Sequence, residues 1–244
     1  HNEISNLNDD IFSDSLMELI VESQCAVATE DDPGHISFQS ISDPTKFVPI
    51  KVIQSHNQVG TRIWGAGVYL GELLQRVPEL LAGRTVLELG AGVGITGLLI
   101  ARAIPLTLRP HKVIMTDFHY LVVDLLSHNI DINSQRSGTV EEGQDIGDQC
   151  IMEADILDWG SVQASDYLRY NARVLFAADC TYSESGNVNL VHAFILYLHT
   201  MRDAPNSPIY PTPSSSGADT CPYKRLLDTG EAFILIACSS LKRR

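Results

Sequence analysis

Positive charge is missing from the start of this chain. No basic residue precedes Lys46, while residues 1 to 45 carry ten carboxylates: Glu3, Asp9, Asp10, Asp14, Glu18, Glu22, Glu30, Asp31, Asp32 and Asp43. Of the 30 acidic residues, 20 remain in the body against 17 basic ones, so the formal net charge of −13 belongs mostly to this arm. A near-neutral body lacks the phosphate-neutralising surface that tight, non-specific nucleic-acid binding needs, and direct nucleic-acid binding is not expected. The arm reads as a solvated leader, or as an attractor for a basic protein substrate. Long apolar runs are also missing: none approaches the roughly 20 residues of a membrane span, and no segment reads as a secretory leader. The five cysteines, Cys25, Cys150, Cys180, Cys221 and Cys238, form no C-x-x-C pair and are odd in number. That excludes a ribbon-type zinc site, predicts no metal, and points to a reducing nuclear or cytoplasmic compartment. The first residue is His1, not Met, which reads as a piece of a longer or trimmed chain.

What is present is a soluble composition, 44% hydrophobic and 19% charged, over 244 residues. The most informative stretch is Thr-Val-Leu-Glu-Leu-Gly-Ala-Gly-Val-Gly-Ile-Thr-Gly at 85–97. An apolar strand, a glycine turn and an apolar helix from Ile95 to Ala103 make a nucleotide-binding βα unit. Gly90, Gly92 and Gly94 let backbone N–H groups approach a ligand with no Cβ between. The spacing Gly-x-Gly-x-Gly is not the Gly-x-Gly-x-x-Gly/Ala of a dinucleotide site. Glu88, inside the strand, would repel a pyrophosphate but suits the cationic methionine end of S-adenosylmethionine (SAM). A dinucleotide site and a purely structural turn are the alternatives.

Strand candidates follow at Lys112 to Thr116, Cys150 to Ile156, Arg173 to Ala178 and Glu231 to Cys238. They are separated by helices at Leu121 to Ile132, Ala164 to Tyr170 and Val188 to Met201. This alternation predicts an α/β fold with a doubly wound, Rossmann-like parallel sheet and ligands at the carboxyl ends of its strands; the motif strands are expected in the order 3-2-1-4-5. Asp117 ends the second strand, where a carboxylate can accept ribose hydroxyls or cap the next helix. Trp64 precedes a helix over Val68 to Leu74 and either covers a cofactor or fills the core. Asp14 to Val21 reads as a short helix, and Phe38 to Ile53 as a hairpin over the main domain, with Pro44 and Pro49 as breaks. Ser134 to Gln149 reads as a surface loop, and the Pro- and Ser-rich 203–222 as a flexible insertion. The expected division is an acidic extension at 1–58 and a catalytic domain at 59–244.

Taken together, Trp64 to Leu74, Val86 to Gly94, Thr116-Asp117, Leu157-Asp158-Trp159 and Leu175 to Tyr182 resemble the seven-strand SAM-dependent methyltransferases. Within these, the likeness is to the protein-lysine methyltransferases of the methyltransferase-like branch, which carry an acidic-x-x-Tyr motif after strand four. The resemblance covers about Val59 to Ser240. It implies that Trp64, Gly90, Gly92, Asp117, Asp158, Trp159 and Ala178 contact SAM and that Glu88 faces its methionine part. Asp179 and Tyr182 would frame a lysine channel. Asp179-Cys-Thr-Tyr182 is not the Asn-Pro-Pro-Tyr form that resembles enzymes acting on adenine or glutamine amide nitrogen. An ammonium suits an Asp, and a carboxylate with a Tyr can orient it before it loses its proton. The structural alternative is that Asp179 caps a helix and Tyr182 packs. The implied partner is a protein lysine. A methyltransferase for a small molecule or nucleic acid, and a SAM-binding inactive partner protein, are the competing readings. The resemblance also implies a further helix and two strands beyond Cys238. Without them the apolar fifth strand is expected at an open, association-prone edge.

Overall fold

The computed structural model of the protein describes residues 33–53, 59–135, 150–204 and 232–238. The sheet is built on β3 (Thr85–Leu89), whose residues after Thr85 are all buried. Such a run suits a strand covered on both faces. β3 pairs in parallel with β4 (Lys112–Asp117) on one side and β6 (Val174–Ala178) on the other. β5 (Ile151–Ile156) lies outside β4, and β7 (Phe233–Ala237) outside β6. The order β5-β4-β3-β6-β7 is the one the sequence predicts. In β7, Phe233 is buried and Ile236 is 55% exposed. Among the described residues it pairs with β6 alone.

Helices close both faces. On one side, α1 (Gly65–Arg76), α2 (Ile95–Ala103) and α3 (Tyr120–Gln135) enclose the larger core. α2 is apolar all round and almost wholly buried, because α1, the sheet and the hairpin each cover part of it. A Cβ on Gly71 would stand 2.7 Å from Leu99 Cδ1, so α1 reaches α2 through its glycines. On the other side, α4 (Ala164–Tyr170) and α5 (Glu184–Asp203) pack through Tyr167 and Tyr197. These rings meet edge to face at 5.4 Å, and their hydroxyls donate to the carbonyls of Ala193 and Ala172. Burying both hydroxyls without these acceptors would cost about 1–3 kcal/mol each.

α5 begins four residues before its apolar periodicity does. Ser183 caps it, accepting from the Gly186 N–H at 3.1 Å, and Glu184 sits in the first turn, so a polar start escapes a search for apolar spacing. α3 likewise runs past Ile132 to Gln135.

β1 (Pro33–Gln39) and β2 (Phe47–Ile53) form an antiparallel hairpin that ends at Ile53 as expected but begins at Pro33, ahead of the expected Phe38. Pro49 does not break it. It sits within β2, where a two-stranded ribbon leaves one edge of each strand without a ladder to donate to. Val48 and Ile50 are fully buried in the main core, so the hairpin belongs to the same packed unit as the sheet. Asn129 of α3 fastens it: its Oδ1 accepts from Lys51 N–H, and its Nδ2 donates to Lys51 O and to Val93 O in the glycine turn. The helix expected at Asp14 to Val21, and nearly all of the 134–149 loop and the 203–222 insertion, lie outside the described residues.

Candidate active site

A cavity of about 290 Å³ opens at the carboxyl ends of β3, β4 and β6, near the lower bound of roughly 300 Å³ for small-molecule pockets. Trp64, Glu88, Gly90, Gly92, Asp117, Trp159, Ala178, Asp179 and Tyr182 all line it. Residues from Trp64 to Tyr182 in sequence therefore share one wall, as a parallel sheet with its switch between β3 and its neighbours requires.

The floor is the turn after β3. Gly90 and Gly92 have φ of +66° and +55°. A Cβ on Gly90 would meet Cys180 Sγ at 2.7 Å, and one on Gly92 would meet the Gly60 carbonyl at 3.0 Å. Both the conformation and the neighbours thus demand glycine. Gly94, at +85°, is the left-handed residue that starts α2. Ala91 N–H donates to Thr116 O, and Gly92 N–H donates to Asp117 Oδ2 at 3.2 Å, tying the turn to the end of β4.

Two carboxylates are sunk in this floor. Glu88 is 2% exposed and accepts from the Gly97 N–H at 3.1 Å. Burial pushes its pKa up to about 8, against the hydrogen bonds from Thr96 and Gly97, and the nearby Asp117 adds to the rise. Asp117 is 7% exposed, and burial raises its pKa too, opposed by backbone N–H groups of His119, Gly92 and Phe118. Two buried acids in one floor fit a ligand that brings an ammonium and hydroxyl groups.

The mouth differs in character. Trp64 is 45% exposed and so is not a core residue; its Nε1 donates to Val59 O at 3.0 Å, standing the ring at the rim. Tyr182 is 60% exposed. Asp179 is half-buried and holds a left-handed φ of +54°, a conformation costly for a non-glycine residue. Its N–H continues the sheet by donating to Ala237 O, and its Oδ2 accepts from the Ala66 N–H at 3.1 Å. The structural alternative for Asp179 is therefore met in an unforeseen way: it caps the start of α1, not the helix that follows it. Between Asp179 and Tyr182, Cys180 is buried, and desolvation pushes its thiol up to about 12, so it is inert as a nucleophile.

Asp158 lies apart from the other expected residues. It does not line the cavity; its carboxylate accepts from Gly160 N–H at 2.9 Å and from Ser161 Oγ at 3.1 Å, closing its own turn. Conversely, Gly67, Thr96, Phe118 and His119 line the cavity without having been singled out in the sequence. Phe118 and His119 follow Asp117 directly and were legible by adjacency. Gly67 and Thr96 were not, since nothing in the chain announces their contact across 29 positions.

A family model described as lysine methyltransferase matches residues 49–203, more than half of the chain. The mouse protein-lysine N-methyltransferase EEF2KMT is 35% identical over 139 residues, 57% of this chain and 40% of that protein. The bovine one is 28% identical over 200 residues, 78% of this chain and 57% of that protein. A protein N-terminal and lysine N-methyltransferase, EFM7, from Cryptococcus neoformans is 32% identical over 107 residues, 43% of this chain and 34% of its own. The chain spans about half the length of the EEF2KMT proteins it matches. On the family match, and with the fold and cavity described above, this chain belongs to the lysine methyltransferase family.

Proposed function

We propose that the protein is a SAM-dependent N-methyltransferase acting on a lysine side chain of a protein substrate. The observation that carries this reading is the gradient in one cavity: Glu88 and Asp117 buried in the floor, Asp179 half-buried, and Tyr182 exposed at the mouth. A floor with two acids suits a donor bearing an ammonium and a ribose. A mouth with a carboxylate and a phenol suits a substrate that arrives as a cation from outside.

When bound, SAM supplies a sulfonium methyl carbon for direct displacement. The chain's residues do the rest. Asp117 would accept hydrogen bonds from the donor's ribose hydroxyls, Glu88 would answer its methionine ammonium, and Gly90, Gly92, Trp159 and Ala178 would shape the wall around it. Trp64 shields the rim from water. Asp179, fixed by Ala66 and by Ala237, holds the lysine ammonium in line, and Tyr182 orients it as it gives its proton to solvent.

The match beginning at residue 49 and the burial of Val48 and Ile50 favour starting the catalytic domain at the hairpin, after the acidic arm. Among the described residues no helix is long and apolar enough to cross a membrane. Cys150, Cys180 and Cys238 are unpaired thiols. They support action in a reducing nuclear or cytoplasmic compartment, as does a likeness of Gly60 to Trp64 and Leu175 to Asp179 to the nuclear methyltransferase-like protein 22.

Incubation with tritiated SAM and a cell lysate, resolved on a gel, tests the proposal. A labelled protein band supports it. Label in RNA or small molecules moves the activity to another methyl acceptor, and binding without transfer makes the chain an inactive partner.

A further inference from the structure

The first turn of α1 touches both halves of the site. From the mouth, its Ala66 N–H donates to Asp179 Oδ2 at 3.1 Å. From the floor, Thr96 Oγ1 donates to its Gly67 carbonyl, also at 3.1 Å. The same Thr96 hydroxyl lies within hydrogen-bonding reach of the Glu88 carboxyl, which accepts from the Gly97 N–H. Thr96 is 1% exposed, so water does not take either partner's place. A Cβ on Gly67 would stand 3.0 Å from Ile95 Cγ2 and 3.2 Å from Thr96 Oγ1. The helices therefore meet here backbone against side chain, with no cushion between.

A hydroxyl has one proton to donate. When Glu88 is protonated, its O–H donates to Thr96 Oγ1, and Thr96 donates on to Gly67; every member is satisfied. When Glu88 is ionised, it becomes the stronger acceptor, because hydrogen bonds to charged groups are roughly twice as strong as neutral ones. The Thr96 proton then turns to Glu88. The Gly67 carbonyl keeps its intrahelical bond from Gly71 N–H, and the first turn of α1 is released from α2. The groups facing Glu88 are few. Asp117 on β4 favours the protonated form, Thr96 and Gly97 on α2 favour the carboxylate, and the Cys180 thiol stays neutral.

We propose that Thr96 is a positioning residue that passes the charge state of Glu88 to Asp179 through the first turn of α1. A ligand with a cationic amino group at Glu88 drives the Glu88 proton to solvent and resets the carboxylate that meets the substrate. This rests on the SAM reading of the cavity.

The amide proton of Ala66 reports the event directly, since its acceptor is Asp179. S-adenosylhomocysteine carries the amino group; 5′-methylthioadenosine fills the adenosine part but lacks it. In nuclear magnetic resonance spectra of the wild-type chain, the first ligand is expected to shift the Ala66 amide and the second to leave it in place. Thr96→Val should abolish the shift and Thr96→Ser restore it. Affinity for S-adenosylhomocysteine should fall by no more than about tenfold, the margin of a hydrogen bond to a charged group over a neutral one. Equal shifts from both ligands overturn the proposal, as does a folded Thr96→Val protein that still shifts. The two-ligand comparison needs no variant and stands if Thr96→Val fails to fold. Failure of S-adenosylhomocysteine to bind at all sinks the SAM reading, and this inference with it; binding with an unmoved Ala66 sinks this inference alone.

Discussion

The floor and the mouth of the cavity are built on opposite plans. In the floor, Glu88 and Asp117 are buried, Gly90 and Gly92 are partly buried, and hydrogen bonds from Gly92, Gly97 and Thr116 cross-link them. In the mouth, Trp64 and Tyr182 are about half exposed, and Asp179 is held by two backbone contacts and an unusual φ. A small ligand of fixed shape rewards a preformed floor, because ordering is done at folding and not at binding. A protein substrate brings its own surface and can finish an open mouth. The contrast makes distinct demands on variants of each region.

The sharpest blow to the floor is Gly92→Arg. It needs an unfavourable positive φ and places a Cβ against the Gly60 carbonyl, so binding of S-adenosylhomocysteine should fall below detection in calorimetry. Retained binding would mean that the turn does not shape the site.

Next, the mouth: Asp179→Ala should cut methyl transfer by roughly a hundredfold or more, as loss of a group acting on developing charge does. It should also cost about 1 kcal/mol of stability, because the N-terminus of α1 loses its acceptor. Asp179→Asn keeps an acceptor for Ala66 and should recover the stability but not the rate. If the Asn variant recovers both, Asp179 is a cap and nothing more.

Returning to the floor, Asp117→Ala should weaken S-adenosylhomocysteine binding by about 1–3 kcal/mol through lost hydrogen bonds to a charged group, with the acceptor's KM unmoved. A change in the acceptor's KM instead would erase the division between floor and mouth.

The last expected effect is on stability and depends on pH. Glu88 has its folded pKa raised from 4.5 to about 8. Between those values the folded state binds the proton that the unfolded state has lost, so this group's contribution is full below about pH 4.5 and is lost as pH rises through about 8. Glu88→Gln keeps an acceptor for Gly97 and a donor for Thr96 without a charge. The ligand-free variant should match the wild type near pH 4 and melt clearly higher near pH 8. No difference at pH 8 would show that Glu88 is ionised in the empty site at no cost.

Much of this was readable from the chain because periodicity and glycine spacing are local. The βα unit at 85–103 and the strand ends carrying Asp117 and Ala178 follow from short-range pattern. What escaped were polar side chains acting across long separations. The pairing of Asp179 with Ala66 spans 113 positions, and Asn129 fastens a hairpin 78 positions away. Asp158, next to Trp159, reads as a site residue, and the structure has its carboxylate accept from Gly160 and Ser161 in its own turn, outside the cavity lining. Such pairings depend on how elements stack, and a single sequence carries no periodic trace of them.

The central claim is that the mouth presents a lysine to the floor's methyl donor. It is tested most directly by acid hydrolysis of protein labelled from tritiated SAM by the wild-type chain, followed by chromatography of the amino acids. The account predicts label in methylated lysines, abolished by Asp179→Ala. Label in methylarginine or in an N-terminal residue, or lysine label that survives Asp179→Ala in full, would contradict it.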